Sequence, residues 1–277
     1  MQKTILLTGV TGAIGKATAL EAAKTGSRII LLARNRQKLE AVRAEISKPS
    51  GNNDITIITA DLSDISSIRK AAAEIKQKFQ QLHALVNIAA VYSATRKTTA
   101  SGLELMFATN HLGVFALTGE LLNLLKASAP ARVVTVSAPS QTKVNFDDLQ
   151  GAQKFSAFGS FGGSKMMNIL FTYKLAEKLK GTGVTATVYH PGVVKSEITA
   201  EMPGFLKFLF KLMASRPDKA AQTLTRLAVD EKYSNVSGKF FDFKENERKS
   251  SAYSHDAAVQ DKLWKVSEEL VAAAQSF

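Results

Sequence analysis

The chain contains no cysteine. Disulfide cross-links, thiolate metal sites and a cysteine nucleophile are therefore excluded, and a cytoplasmic location is the expectation. Long hydrophobic runs are also missing. The most apolar stretch, Phe205 to Met213, is broken by Lys207 and Lys211 and cannot span a bilayer, though it could touch one peripherally. The opening Met1-Gln2-Lys3 leads straight into a short apolar strand, Thr4 to Leu7, too short for a secretion signal. Acidic charge is in deficit, with 36 Lys and Arg against 24 Asp and Glu for a net charge of +12. No five basic residues stand in a row, so the charge reads as a solvated surface, with some steering of a polyanionic cofactor, and not as a nucleic-acid footprint. The sequence offers no metal-binding cluster, no internal repeat and no linker between two cores.

Short β-rich runs alternate with longer helical patterns. Ile5-Leu6-Leu7, Ile29 to Leu32, Ile55 to Ile58, Leu85-Val86, Val133 to Val136 and Val184 to Val188 are short apolar runs between turn signals, the mark of strands covered on both faces. Helical patterns such as Ala17 to Lys24 and Arg36 to Ile46 lie between them, with a polar loop over Ser47 to Asn53. Repeated βαβ units predict a Rossmann-type doubly wound parallel sheet in a single α/β domain over residues 1–277. Two regions break the rhythm: Lys143 to Phe161, with Phe146, Phe155, Phe158 and Phe161, and an apolar helix over Glu201 to Ser215. They either cap the core or, with the region around 200–215, build a pocket for a small hydrophobic ligand at the crevice edge.

The first strand ends in Thr8-Gly9-Val10-Thr11-Gly12-Ala13-Ile14-Gly15 and opens a helix. Glycines there allow a tight turn and close approach of a pyrophosphate to helix N–H groups. The second strand ends at Ala33-Arg34-Asn35-Arg36. An acidic residue would suit a free ribose 2′-hydroxyl; Ala33 stands in its place, and the Arg34 fork suits a 2′-phosphate. These residues predict NADP(H), although Arg34 could also be a plain surface residue opening a helix.

Further marks follow in order: Ala60-Asp61-Leu62, Leu85 to Ala90, Asn110-His111-Leu112-Gly113, Lys126 to Val134, Phe146 to Gln150, Ser164-Lys165 and His190 to Val194. With these motifs, from Lys3 to about Val271, the chain resembles the short-chain dehydrogenase/reductase superfamily, in its retinol-dehydrogenase-like branch. The resemblance implies that Gly9, Thr11, Gly12, Ala13, Ile14 and Gly15 cradle the pyrophosphate. Arg34 and Asn35 would meet the adenosine ribose, Asp61 and Leu62 the adenine, and Asn87, Ala89 and Ala90 the ribose path. Pro191, Gly192, Val194 and Ser196 would lie by the nicotinamide, and homo-oligomers are implied too. Asp61 alternatively reads as a helix N-cap, and Asn87 as a satisfied polar group at a strand end. The glycines fall at 9, 12 and 15, with Ala13 where the branch carries another, and Ala90 replaces a glycine of the fourth-strand motif.

The family's reaction uses a tyrosine as acid/base, a lysine four residues later, a serine and an asparagine. Lys165 and Asn110 match the lysine, which the resemblance implies also holds the nicotinamide ribose, and the asparagine, but Phe161 and Ala138 occupy the places implied for the tyrosine and serine. A positioned general acid contributes about 10²–10⁴ in rate, and an oxyanion donor about 10²–10³. Ordinary carbonyl or alcohol turnover is therefore expected to be weak. Three functions remain open: an oxidoreductase for substrates needing no strong acid, a redox-silent enzyme, and a non-catalytic NADP(H)-binding protein.

Overall fold

In the computed structural model, which describes residues 2–194 and 216–274, the short apolar runs are strands of one parallel sheet. They are β1 (Thr4–Thr8), β2 (Arg28–Ala33), β3 (Ile55–Thr59), β4 (Ala84–Asn87), β5 (Ala131–Val136), β6 (Val184–His190) and β7 (Lys239–Asp242). Their spatial order is β3-β2-β1-β4-β5-β6-β7, and every pairing is parallel. Every residue of β1 and β5 is buried, as expected where helices cover both faces. The seventh strand, Lys239-Phe240-Phe241-Asp242, is only four residues long, which gives a weak periodic signal.

On one face lie α1 (Ala13–Lys24), α2 (Arg36–Ser50) and α6 (Pro217–Val229), packed around Leu39, Val42, Leu224 and Leu227. On the other lie α3 (Ile65–Lys78), α4 (Leu105–Ala127), α5 (Ala157–Lys178) and α7 (Ala257–Ala273), packed around Ile68, Leu117, Met166 and Leu263. By length and composition α4 could cross a membrane, but 78% of its most apolar window is buried inside the fold, where it serves as a core helix.

Two local expectations are corrected. The expected loop over Ser47 to Asn53 begins later, because α2 continues through Pro49 to Ser50. Ser50 Oγ donates to Ile46 O at 2.6 Å in that last turn, and Gly51 then ends the helix at φ 66°, a conformation glycine adopts without strain. Asp61 is not the N-cap of α3; Asp64 is, accepting from Ser66 N.

The order of strands reverses between β1 and β4, so the chain runs away from this pair in both directions. In open α/β sheets such a switch point, at the carboxyl ends of the strands, is where ligands bind.

Candidate active site

Gly9 follows β1 at φ +67°. A side-chain carbon there would stand 2.7 Å from Ala89 Cα, and one on Gly15 would stand 2.2 Å from Gly9 O. Only glycine fits either position. Thr8 Oγ1 accepts from Ile88 N at 3.0 Å and Ala89 N at 3.1 Å, tying the end of β1 to the loop after β4. The turn through Val10, Thr11 and Gly12 then delivers Ala13 and Ile14 to the first turn of α1, whose N-cap, Gly12, supplies no side-chain cap. Among the described residues no side chain caps the N–H groups of that turn.

Arg34 is exposed at the end of β2; among the described residues it forms no ion pair, whereas its neighbour Arg36 is paired with Glu40. Asn35 is the N-cap of α2, accepting from Lys38 N at 2.9 Å. Asp61 Oδ1 accepts from Ser63 N and Oγ, and Leu62 is buried beside it. Asn87 donates to Thr118 Oγ1, but its Oδ1 is buried with no partner among the described residues. It is therefore not the fully satisfied group it could have been. Thr135 Oγ1 on the neighbouring strand is likewise unpartnered. An unsatisfied buried polar atom costs about 1–3 kcal/mol, so such atoms near a crevice fit a polar ligand. Ala90 is half-buried beside Ala89, Pro191 is buried and Gly192 has φ +74°. Val194 is buried, while Ser196 and the 200–215 region lie outside the described residues.

Asn110 is fully buried in a π-helical turn, Ala108–Leu112, within α4. Its side chain accepts from Val91 N at 2.7 Å and donates to Val91 O at 2.9 Å and Ser164 Oγ at 3.1 Å. Extra residues in such turns reposition a side chain at functional sites; here Asn110 pins the loop after β4 to α5. Ser164 Oγ in turn donates to Phe161 O.

On α5, Phe161 and Lys165 are one helical turn apart, and Lys165 Nζ lies 5.4 Å from the Phe161 ring centroid. Burial pushes the Lys165 ammonium down to about pKa 8. Ala138 is half-buried just beyond β5. The nearby serines are engaged: Ser137 Oγ donates to Lys165 O and Ser140 Oγ to Gly162 O. Tyr173 bonds Ser250. His111 contacts Ser267 and burial pushes its ring down to about pKa 4; burial likewise lowers His190.

The phenylalanines divide. Phe155 and Phe161 pack with Tyr92 and Met106, while Phe146 packs against the main core under Lys262. Tyr92, which sequence reasoning passed over, is the centre of the group, with ring centroids 5.7 Å from Phe161 and 5.9 Å from Phe158. Phe158 remains 49% exposed. Tyr92's place two residues beyond Ala90, in a loop that must pass the crevice, was the available signal.

Comparison with known proteins bears on this arrangement. Residues 3–204 match the family model described as short chain dehydrogenase. Mouse retinol dehydrogenase 12 is 40% identical over 274 residues, covering 97% of this chain and 86% of the relative. Human retinol dehydrogenase 14 is 36% identical over 291 residues with the same coverages. Among solved structures, an uncharacterised Mycobacterium paratuberculosis protein superposes with TM-score 0.77 at 28% identity, covering 98% of this chain and 93% of its own. Actinorhodin polyketide ketoreductase with NADPH shares the fold at TM-score 0.69 and 20% identity, covering 87% and 95%.

Proposed function

The chain belongs to the short chain dehydrogenase family, and on that premise we propose that it binds NADP(H) at the β1/β4 switch point with attenuated carbonyl–alcohol oxidoreductase chemistry. The observation that carries the reading is the glycine cradle, where Gly9 and Gly15 leave no room for a side chain against Ala89 and the Gly9 carbonyl. Backbone N–H groups at the start of α1 would receive the pyrophosphate. The unpaired Arg34 favours a 2′-phosphate over a bare hydroxyl. Asp61 and Leu62 would hold the adenine, Asn87, Ala89 and Ala90 the ribose path, and Pro191, Gly192, Val194 and Ser196 the nicotinamide. When bound, the dinucleotide supplies or takes up a hydride.

The chain's own part is to position a hydrophobic carbonyl compound among Tyr92, Phe158 and Phe161, exclude water from it, and hold Lys165 beneath it. Phe161 and Ala138 bring no hydroxyl to the carbonyl oxygen. Ser137, Ser140 and Ser164 donate to backbone carbonyls. Those engagements favour a second reading as well, a protein that binds the dinucleotide without turning it over. Titration with NADPH and NADH, followed by nucleotide fluorescence, tests the first claim: NADPH binds more tightly than NADH. Failure of both to bind contradicts it. A panel of hydrophobic aldehydes with NADPH then separates slow reduction from none.

A further inference from the structure

We propose that the cavity between the starts of α4 and α5 and the segment 142–154 is a binding site for a small apolar carboxylate, about the size of benzoate. The cavity holds about 170 Å³, a little more than the roughly 150 Å³ that accepts a benzene ring. Phe107, Val144, Leu149 and Met167 give it apolar walls. Lys143 and Lys154, both exposed, supply a basic rim, and Ser160 adds a hydroxyl. Among the described residues neither ammonium has a partner, and the Ser160 hydroxyl has none. The two carboxylates that also border the cavity are already taken up by backbone. Glu104 accepts from Met106 N at 2.9 Å and Phe107 N at 2.7 Å. Asp148 accepts from Ala152 N at 2.6 Å and Lys154 N at 3.0 Å. The lysines are thus the groups left to meet a ligand's charge, and the positive end of α5, at Ser156 and Gly159, borders the same space. With two carboxylates so near, a monoanion is favoured over a phosphate dianion.

Gly163 is the second observation. It lies in the interior of α5, where glycine is a poorer helix former than alanine. Its neighbour Gly162 has a steric reason to be glycine, since a side-chain carbon there would stand 2.6 Å from Thr142 Oγ1. Gly163 has none. A side-chain carbon on it would meet nothing within 4 Å, and the space it would enter is this cavity. The sequence therefore gives up helix stability at a position whose effect is to keep the cavity open. Ser160, Gly163, Ser164 and Met167 form one stripe of α5 along the cavity wall. Phe161 and Lys165 follow Ser160 and Ser164 by one residue, about 100° round the helix, and do not line it. The cavity is thus separate from the dinucleotide cleft, and the inference does not rest on the dinucleotide reading.

The full chain is titrated with 4-fluorobenzoate and, separately, with 4-fluorobenzyl alcohol, and binding is followed by fluorine NMR. The acid should bind saturably and about tenfold more tightly than the alcohol, the value of its charge-assisted contacts. Lys143→Ala with Lys154→Ala should remove that advantage and bring the acid level with the alcohol. Gly163→Leu should abolish binding of both by filling the cavity, and Gly163→Ala should raise the melting temperature, because its methyl enters open space. The lysine variants change only the exposed rim, so they keep the test decisive if the Leu variant does not fold. Saturating NADPH should leave the acid bound. Displacement by NADPH would put the acid in the dinucleotide cleft and overturn the proposal. So would an absence of saturable binding, an acid no tighter than the alcohol, or full binding in a folded Gly163→Leu protein.

Discussion

Lys165 Nζ lies 5.4 Å from the centre of the Phe161 ring, one turn away on the same face of α5. A cation over an aromatic face gains about 0.5–2 kcal/mol, less than burial costs it, so the ammonium is held at about pKa 8. The pair is apolar on one side and basic on the other. Neither side chain has a hydroxyl to give to a developing alkoxide.

Arg34→Ala should lower NADPH affinity by about 10- to 100-fold, the value of one or two charge-assisted hydrogen bonds, and leave NADH affinity unchanged. Fluorescence titration of both nucleotides against both proteins checks this. An equal loss for the two would assign Arg34 to the shared part of the dinucleotide.

The glycines of the loop should separate folding from binding. Gly15→Ala places a carbon 2.2 Å from Gly9 O and should destabilise the fold by about 2 kcal/mol or more. Gly12→Ala meets Gly9 O at an ordinary 3.5 Å, so it should cost at most about 1 kcal/mol as a poorer N-cap while weakening the dinucleotide. Thermal melts with and without NADPH distinguish the two.

Lys165 should leave a mark on stability against pH. Its folded pKa, about 8, lies below the ordinary 10.5, so between these values the unfolded chain binds more protons and stability rises with pH. Below about pH 8 the cost of the buried ammonium is fully present, roughly 3 kcal/mol. Lys165→Met should therefore gain most over the parent at neutral pH, with the gain shrinking towards pH 10.5. Denaturant unfolding across that range measures it, and a constant difference would mean that Lys165 is not charged in a dry site.

The parallel sheet was legible because six of its seven strands are short, mostly buried runs, β7 being too short to show a pattern, and the glycine loop because Gly9 and Gly15 must be glycine. Arg34 and Lys165 could be placed by counting along their elements. Tyr92 was not legible: it sits in an irregular loop, and its partners Phe158 and Phe161 come from α5, far along the chain. The same distance hid the hydrogen bonds of Ser137 and Ser140 to α5. Helix ends were read worst. The polar run from Ser47 suggested a loop where α2 continues to Ser50, and Asp61 suggested a cap that Asp64 supplies.

Adding a hydroxyl at each of the two positions, 161 and 138, tests the central proposal most directly. In Phe161→Tyr with Ala138→Ser, one oxygen is added to a ring already in place and one to a half-buried methyl, so the packing cost should be small. Lys165 beside the new phenol would favour its ionised form and bring its pKa towards neutrality. NADPH consumption with small and extended hydrophobic aldehydes should rise by about 10²-fold or more over the parent, with Phe161→Tyr alone recovering more than Ala138→Ser alone. If the double variant folds, binds NADPH and reduces these aldehydes no faster than the parent, the missing hydroxyls are not what holds the chemistry back, and the account of this site is wrong.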